Sequence, residues 1–345
     1  MIYMQKFLLA TMITIAAGSL ITALPSVAEP AKLPFAAIES TSGGTLGASV
    51  VHLETGETWQ YKADEIFPTA SVVKLVEAIA FLKRVDAGQY KLTDKLHLTK
   101  KDVFPVAHSP LLRNFPPKGL DVTYDDLLKQ SICQSDTTAD AILLSRAGGP
   151  QAVQAVMDAA GCPDVKVKET ECQLIVDYAG VKEKVTDWSD KDKITKLEAA
   201  VPRAERSKAA RQFEHDPKNT MTPQAITDLL TKLYNGKILK ADTTAHLLAV
   251  MEKTATGPDR IKGKLPLGTV VAHKTGTWDT TDGINAATND CGIITLPGKA
   301  GHICLAIFVK GSKKTEKDRA LAMATLAKLA FDHCSNHTAT KAAHP

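Results

Sequence analysis

Strand-like patterns lie near both ends of this chain, and helical patterns fill the long segment between them. Residues 46–62 alternate apolar and polar side chains around a central turn, which predicts a β-hairpin. Strand-like runs return only near the C-terminus, before an amphipathic helix, at 269–273, 290–296 and 302–309. We therefore expect one sheet built from both chain ends, with a helical lobe inserted between its strands.

The inserted lobe is predicted from apolar residues at helical spacing. In 72–85 the apolar side chains occupy nearly every face, which is typical of a helix buried inside a helical lobe. Further helical periods cover 123–132, 137–147, 150–160 and 222–234, and a last helix covers 317–331. The predicted domains are a sheet lobe from 29–66 and 252–334, a helical lobe over 67–251, and a loose tail over 335–345.

One segment of the helical lobe, 182–215, is unusually charged. Of its 34 residues 16 are charged, seven acidic and nine basic, so the segment must lie largely in water. Ile194, Leu197 and Val201 fall on one face of a helix that Ser189 and Asp192 would cap and Pro202 would end, and 203–214 can form a second helix. We favour a solvated helical excursion over a partner-binding element.

The N-terminal segment has the pattern of an export signal. An apolar run over 7–24 follows Lys6, and Ser26-Val27-Ala28 has the small-x-small form of a signal-peptidase site. We expect a signal peptide over 1–28 and a mature chain of 345 − 28 = 317 residues in the periplasm or outside the cell. A retained membrane anchor is the alternative.

Composition excludes several classes of protein. Hydrophobic residues make up 44% of the chain and charged residues 23%, which is ordinary for a soluble globular protein. Aromatic residues at 5% and a net charge of +4 do not suggest a nucleic-acid partner. The histidines show neither His-x-His nor paired spacing with Cys or Asp, so we expect no metal site.

Six cysteines in an exported chain make disulfides possible, in any of 15 pairings. Cys291 and Cys304 flank the turn of an apparent hairpin and could face each other across two strands. Buried free thiols are the alternative, and no cysteine stands beside a histidine in a way that suggests a cysteine nucleophile.

A serine and a lysine lie one helical turn apart at the start of the buried helix. In Ala70-Ser71-Val72-Val73-Lys74 this spacing brings the Ser71 hydroxyl and the Lys74 ammonium to one face. The positive end of the helix dipole can stabilise an oxyanion that develops there. The pair is therefore a candidate nucleophile and base, although a serine cap with an exposed lysine explains the pattern equally well when taken alone.

Two further triplets carry matching chemistry. Lys274-Thr275-Gly276 follows a strand-like run and offers a cation, a hydroxyl and a glycine that lets a substrate lie against the backbone. Ser135-Asp136-Thr137 opens a helix, and its Ser135 hydroxyl could relay a proton to a leaving nitrogen. A helix cap is the simpler interpretation of the second triplet.

In this order the three elements resemble the motifs of the serine β-lactamase and penicillin-binding-protein superfamily. Glu171-Cys172-Gln173-Leu174 is similar to the Glu-x-x-Leu of the class A omega loop, and most similar to the extended-spectrum branch with longer loops. Lesser agreements are His108-Ser109-Pro110, Thr222-Pro223, Asn289-Asp290 and Thr277 after the glycine. The resemblance covers about 46–331 and implies an α/β (α+β) fold of two lobes, an antiparallel sheet flanked by helices plus an all-helical lobe, of β-lactamase/transpeptidase type.

The resemblance also implies a role for each motif residue. Ser71 would attack the lactam carbonyl, with Lys74 or Glu171 as its base and Ser135 as the proton donor to the nitrogen. The backbone N–H groups of Ser71 and Thr277 would hold the oxyanion, and Glu171 would activate the deacylating water. The substrate would be held by Lys274, Thr275, Gly276, Thr277, Thr137, His108 and, as in some members, Arg260. No cofactor is implied, and we expect a monomer acting on a small β-lactam.

This chain departs from the family pattern at several positions. Thr137 replaces an asparagine that contacts the lysine and the substrate amide, and the apolar Ile175 replaces an asparagine that holds the deacylating water. Because 182–215 lengthens the loop before Asn219, Glu198 is a rival for the base. The alternative functions are a D,D-peptidase-like hydrolase of peptidoglycan peptides and a homologue that binds without turnover.

Overall fold

The predicted helices and strands occur in the predicted order, but two short strand pairs, 67–68 with 220–221 and 95–98 with 120–123, lie in the segment where only helices were predicted. The computed structural model describes residues 33–104, 107–183, 185 and 187–342, so the predicted signal peptide over 1–28 lies outside the described residues. The strands are β1 Thr45–His52, β2 Thr58–Tyr61, β3 Phe67–Pro68, β4 Lys95–Leu98, β5 Leu120–Thr123, β6 Thr220–Met221, β7 Val271–Thr277, β8 Thr280–Thr281, β9 Ile284–Thr295 and β10 His302–Ser312. The helices are α1 Phe35–Ser42, α2 Val73–Asp86, α3 Tyr124–Cys133, α4 Thr137–Ala147, α5 Gly149–Ala159, α6 Glu171–Tyr178, α7 Lys191–Ala200, α8 Arg203–Phe213, α9 Pro223–Tyr234, α10 Ala241–Glu252 and α11 Glu316–Ala342.

The main sheet is antiparallel and joins the two chain ends, as predicted. Its strand order is β2-β1-β10-β9-β7, and β8 pairs with β9. Along β10, Ile303, Leu305, Ile307 and Val309 belong to a core that includes residues of α1 and α11, whereas Cys304, Ala306 and Phe308 belong to the helical core. Because successive side chains of β10 point to opposite faces of the sheet, both faces are buried against a core.

Helix α2 lies at the centre of the helical core. All ten residues from Val73 to Leu82 are buried, including the charged Lys74 and Glu77. It contacts α3, α4 and α5, so the nucleophile turn that precedes it is fixed by packing on several sides.

The charged segment forms two helices, as predicted. α7 is capped by Asp190, whose carboxylate accepts from the Lys193 N–H at 2.9 Å, in place of the predicted Ser189. Ile194 is buried in a small cluster with Val176, Val181 and Val185, which joins the segment to the end of α6. We call residues 182–215 the insertion.

The structure corrects the prediction for the C-terminal tail and decides between the two alternatives left open for the cysteines. The last helix extends through Ala342, so most of the tail predicted to be loose is helical, because no glycine or proline interrupts it before Pro345. Cys133, Cys162, Cys172, Cys291 and Cys304 are free thiols, and all six cysteines are buried. Cys291 pairs in register with Ala306 and Cys304 with Ile293, so the predicted disulfide partners are not opposite each other.

None of the helices in the described residues is long and apolar enough to span a membrane.

Candidate active site

Ser71 lies in a 3-10 turn, Ala70–Val72, directly before α2. Ala70 has a φ of 44°, an unusual backbone conformation for a residue with a side chain. The Asn289 amide donates to the carbonyls of Pro68 at 2.8 Å and Thr69 at 3.1 Å, and so ties this turn to β9. The neighbouring strand therefore holds the turn in a strained geometry.

Gly276 lets β7 approach the same turn closely. A Cβ atom at this position would lie 3.0 Å from the Thr69 carbonyl oxygen and 3.1 Å from the Val72 nitrogen. Any larger residue would push the Lys-Thr-Gly strand away from the serine.

The predicted nucleophile and both predicted bases meet in one hydrogen-bonded group. The Ser71 hydroxyl donates to Glu171 Oε1 at 2.9 Å, and Lys74 Nζ lies 3.3 Å from Ser71 Oγ. Lys74 also forms an ion pair with the other oxygen of Glu171, and both side chains are buried. Thr137 donates to Glu171 Oε2 at 2.9 Å and lies 3.4 Å from Lys74 Nζ, so the threonine keeps a contact with the lysine at the position of the family asparagine.

The ion pair fixes the charges of the two candidate bases. Burial opposes both charges, but the Lys74 ammonium and the hydrogen bonds from Ser71 and Thr137 hold the pKa of Glu171 below its usual value. Burial also opposes the Lys74 ammonium, but the Glu171 carboxylate raises the pKa of Lys74 above its usual value. At neutral pH Lys74 carries a proton and Glu171 is free to accept one.

A second acidic pair, which the sequence analysis missed, lies near Lys74 in the core. Burial raises the pKa of Glu77 well above its usual value, and the neighbouring Asp140 carboxylate raises it further. Burial raises the pKa of Asp140 as well, although the Lys74 ammonium opposes the shift. The Ser131 hydroxyl donates to Asp140 at 3.1 Å. Both carboxyl groups strengthen the preference of Lys74 for its charged form.

The structure brings Ser135 and Lys274 together on the other side of the nucleophile. Lys274 Nζ donates to Ser135 Oγ at 3.0 Å and to the Thr275 carbonyl at 2.8 Å. Burial, and next the positive charge of Lys74, lower the pKa of Lys274 to about 7. Asp136 caps α4 and accepts from Ser109 and the Leu111 N–H, which fixes the turn that carries Ser135.

Arg260, expected to assist the grip on the substrate carboxylate, lies behind β7 and contacts Thr277. The side chain is 3% exposed and donates to Thr277 Oγ1 at 2.6 Å and to the Gly276 and Asn289 carbonyls at 3.0 Å. Its guanidinium therefore supports β7 from behind and can reach a ligand only through Thr277.

Glu171 is positioned by a loop that Asn219 closes. The Asn219 amide oxygen accepts from the Lys168 N–H at 2.9 Å and the Glu169 N–H at 3.0 Å, and its nitrogen donates to the Glu169 carbonyl at 2.9 Å. Thr170 then caps α6, whose first residue is Glu171. The rival base, Glu198, lies on α7, and Glu171 is the carboxylate that contacts Ser71.

A cavity of about 310 Å³ opens onto this group. It is lined by Ser71, Ala107, His108, Thr137, Glu171, Ile175, Tyr178, Thr277, Trp278 and Asp279. The His108 carbonyl accepts from the Thr137 N–H at 2.9 Å, which joins the segment that carries His108 to the start of α4. Ile175 is at the cavity as predicted and offers only apolar surface to a water.

The sequence analysis missed Tyr178, Trp278 and Asp279 in this lining. For Trp278 the sequence held one signal, its position directly after Lys274-Thr275-Gly276-Thr277. In the described part of the chain, no group of three or more His, Cys, Asp or Glu side chains is arranged to hold a metal ion.

Comparison with known proteins places this geometry in a family. The model of the β-lactamase enzyme family matches residues 32–334. The chain is 30% identical to β-lactamase VEB-1 of Pseudomonas aeruginosa over 84% of this chain and 86% of that protein. It is 29% identical to extended-spectrum β-lactamase PER-1 of the same organism, over 83% of this chain and 82% of that protein.

A crystal structure of a β-lactamase from Chitinophaga pinensis has the same fold. It superposes with a TM-score of 0.72 at 32% identity, and the match covers 86% of this chain and 97% of that one. The TLA-1 extended-spectrum β-lactamase matches with a TM-score of 0.71 at 30% identity, over 87% of this chain and 97% of that one. The chain belongs to the β-lactamase enzyme family, in its class A serine branch.

Proposed function

We propose that the protein hydrolyses the amide bond of β-lactam antibiotics through an acyl-enzyme on Ser71, and so confers resistance to them. The observation that carries this proposal is the 2.9 Å hydrogen bond from the Ser71 hydroxyl to a carboxylate that Lys74 keeps ionised. A nucleophile bonded to its base is the arrangement that acyl transfer needs.

In the acylation step, Ser71 Oγ forms a bond to the lactam carbonyl carbon and its proton moves to Glu171. The protonated Lys74 cannot take that proton, but its charge stabilises the oxygen as it attacks. The carbonyl oxygen becomes an oxyanion that faces the backbone N–H groups of Ser71 and Thr277 at the junction of the nucleophile turn and β7. The oxyanion then collapses and the C–N bond breaks.

The departing nitrogen takes a proton from Ser135 Oγ, which recovers one from Lys274. A donor with a pKa of about 7 can give up a proton readily near neutral pH. The 3.0 Å contact between these two side chains supports this relay. Lys274, Thr275 and Thr277 would hold the substrate carboxylate, and Arg260 would position Thr277.

Deacylation needs Glu171 as a carboxylate again, and the proton that it acquired balances the one that Lys274 gave up, so its transfer to Lys274 restores both groups. Glu171 then takes a proton from a water molecule, whose oxygen bonds to the ester carbon. The bond to Ser71 Oγ breaks and the oxygen regains a proton. The sum is one β-lactam and one water converted to a ring-opened amino acid.

The buried carboxylate argues against the two alternative functions. A D,D-peptidase-like hydrolase, or a homologue that binds without turnover, would lack a working deacylation base for the β-lactam ester. Here Glu171 contacts the serine directly, and Thr137 contacts both members of its ion pair. The names of VEB-1 and PER-1 support the same choice.

A chromogenic cephalosporin tests the proposal when colour and intact protein mass are followed together. We expect continuous turnover by the unmodified protein and neither turnover nor a mass increase with Ser71→Ala. An unmodified protein that stops after one acyl group would contradict the hydrolase, and turnover by Ser71→Ala would contradict the assigned nucleophile.

We also propose that the protein is exported to the periplasm or secreted, and that it acts as a monomer. The sequence pattern of 1–28 and the class A membership support export. The hydrogen bonds from Ser71 to Glu171 and from Lys274 to Ser135 are complete within one chain, so the site needs no second copy. Cell fractionation with and without residues 1–28, and light scattering of the purified protein, test these two points.

A further inference from the structure

Phe213, at the end of α8 in the insertion, lies in a cluster of three aromatic rings. Its ring stacks on Trp278 with centroids 4.6 Å apart and an angle of 19° between the planes. The ring of Tyr178 stands edge-on to Phe213 at 5.3 Å and to Trp278 at 5.8 Å. Phe213 is 7% exposed, so the rings form a small core of their own with Ala210 and Leu174.

Tyr178 and Trp278 line the catalytic cavity, but Phe213 does not. Tyr178 comes from the helix that carries Glu171, and Trp278 follows the strand that carries Lys274. The insertion therefore supplies a ring, that of Phe213, which packs against two cavity-lining side chains from different elements, Tyr178 and Trp278. Ring pairs of this kind have preferred geometries, so the position of Phe213 restricts the positions of the other two.

Polar contacts hold the insertion in the same place. Arg211 lies 3.3 Å and Arg203 lies 3.7 Å from the Asp282 carboxylate, at the turn between β8 and β9. The Tyr178 hydroxyl is 2.8 Å from Thr281 Oγ1 on β8. Because the arginine pairs are exposed and screened by water, the buried rings are the stronger connection.

The cavity lining has a polar part and an apolar part. Ser71, Thr137 and Thr277 offer hydroxyl groups, whereas Ile175, Tyr178 and Trp278 form an apolar, aromatic wall. Lys274, the cation that would hold the substrate carboxylate, is buried behind the lining and precedes Thr277 on β7. A β-lactam carries its carboxylate and its acylamino substituent on opposite sides of the bicycle. With the carboxylate on Lys274, the substituent therefore extends toward the aromatic wall.

We propose that Phe213 is a positioning residue that sets the specificity of the enzyme for the substrate side chain. Acting through Trp278 and Tyr178, it shapes a wall that favours β-lactams with an aryl or heteroaryl acylamino substituent. This inference rests on the proposed β-lactam hydrolysis and adds a role for the insertion that the reaction itself does not require.

The test compares two penicillins that differ only in their side chain, one phenylacetylated and one acetylated. For Phe213→Ala we expect kcat/KM to fall roughly tenfold for the phenylacetyl substrate, mainly through KM, because the wall loses its support. For the acetyl substrate we expect a change of less than about twofold. Phe213→Tyr keeps the ring and should retain the wild-type ratio of kcat/KM between the two substrates. If Phe213→Ala folds poorly, Phe213→Leu takes its place in the test, and we expect it to give a ratio between those of the wild type and Phe213→Ala.

Ile194→Ala is the matched control, since Ile194 is fully buried in the insertion but belongs to the separate cluster behind α6. We expect it to lower the melting temperature while leaving the ratio between the two penicillins unchanged. Equal losses on both substrates with the Phe213 variants, or the same ratio change with Ile194→Ala, would overturn the specificity role. If the unmodified protein hydrolyses neither penicillin nor the chromogenic cephalosporin, the proposed function fails. If it hydrolyses both penicillins and the Phe213 variants leave their ratio unchanged, only the specificity role fails.

Discussion

At Ser71 the hydroxyl proton has two neighbouring acceptors, and charge decides between them. Lys74 is 3.3 Å away but is protonated, because Glu171 and the buried acids Glu77 and Asp140 favour its ammonium form. Glu171 is 2.9 Å away and ionised. The carboxylate is thus the base in this arrangement, and the lysine acts through its charge.

The lowered pKa of Lys274 predicts how catalysis responds to pH. Below a pKa of about 7 the side chain is an ammonium that attracts the substrate carboxylate, and above it the charge is lost. We therefore expect kcat/KM to fall as the pH rises through about 7. In the enzyme–substrate complex, the substrate carboxylate favours the ammonium form of Lys274 and so raises its pKa. We therefore expect kcat to fall only at higher pH than kcat/KM.

Lys274→Arg provides the control for this pH profile, because a guanidinium remains charged throughout the accessible range. Steady-state kinetics between about pH 5 and pH 10 should show the limb near pH 7 in the wild type and its absence in the variant. The same limb in both proteins would assign it to a different group.

At the scale of the element, each catalytic group depends on how a short segment is tied down. The turn of Ser71 is tied to β9 by Asn289, the turn of Ser135 to its helix by Asp136, and the loop before Glu171 to β6 by Asn219. The helical spacing of Ser71 and Lys74 was predictable because it is local. The contacts of Arg260 were not predictable, because they depend on the pairing of β7 with β9, which the sequence does not reveal.

Asn219→Ala should loosen the loop that carries Glu171. It removes three hydrogen bonds to residues 168–169, which at about 1 kcal/mol each predicts a loss of roughly 2–3 kcal/mol in the free energy of unfolding. We also expect a slower deacylation, because Glu171 would lose its position. Urea denaturation and acyl-enzyme mass measurements report the two effects separately.

Asn219→Asp is the milder companion variant. Its carboxylate keeps the acceptor for the two N–H groups and loses only the donor to the Glu169 carbonyl, so the expected loss of stability is smaller. Full stability and full deacylation in Asn219→Ala would contradict a role for this residue in closing the loop.

At the scale of the whole molecule, the sheet from both chain ends and the inserted helical lobe were predictable, because strand alternation and helical periodicity are local patterns. The site was found because its motifs are short and ordered along the chain. The aromatic cluster was missed, since Tyr178, Phe213 and Trp278 meet only through the fold and share no spacing. The sequence left the Cys291–Cys304 pair and buried thiols open as alternatives, and only the strand register, Cys291 opposite Ala306, decides against the pair.

The free thiols predict that the folded protein is insensitive to reduction. All six cysteines are buried, and burial raises the pKa of Cys133, Cys162 and Cys334, the last to about 12, which keeps them as unreactive thiols. We expect thiol titration without reductant to detect Cys133, Cys162, Cys172, Cys291 and Cys304 after denaturation and few thiols before it. The melting temperature should be the same with and without dithiothreitol, and a marked drop with reductant would reveal a disulfide.

The central claim is that Glu171 is the carboxylate that drives turnover, and Glu171→Gln tests it most directly. The amide has nearly the same shape but cannot accept the proton, so kcat should fall by about 10²–10⁴-fold. It also removes the carboxylate that favours the charged form of Lys74, so Lys74 can replace Glu171 as the base for acylation but not for deacylation. Intact mass spectrometry should therefore show an acyl-enzyme that accumulates on Ser71. Glu198→Gln, which changes the rival carboxylate on α7, should turn over normally. Turnover within tenfold of wild type in Glu171→Gln, or an accumulating acyl-enzyme in Glu198→Gln instead, would contradict the account.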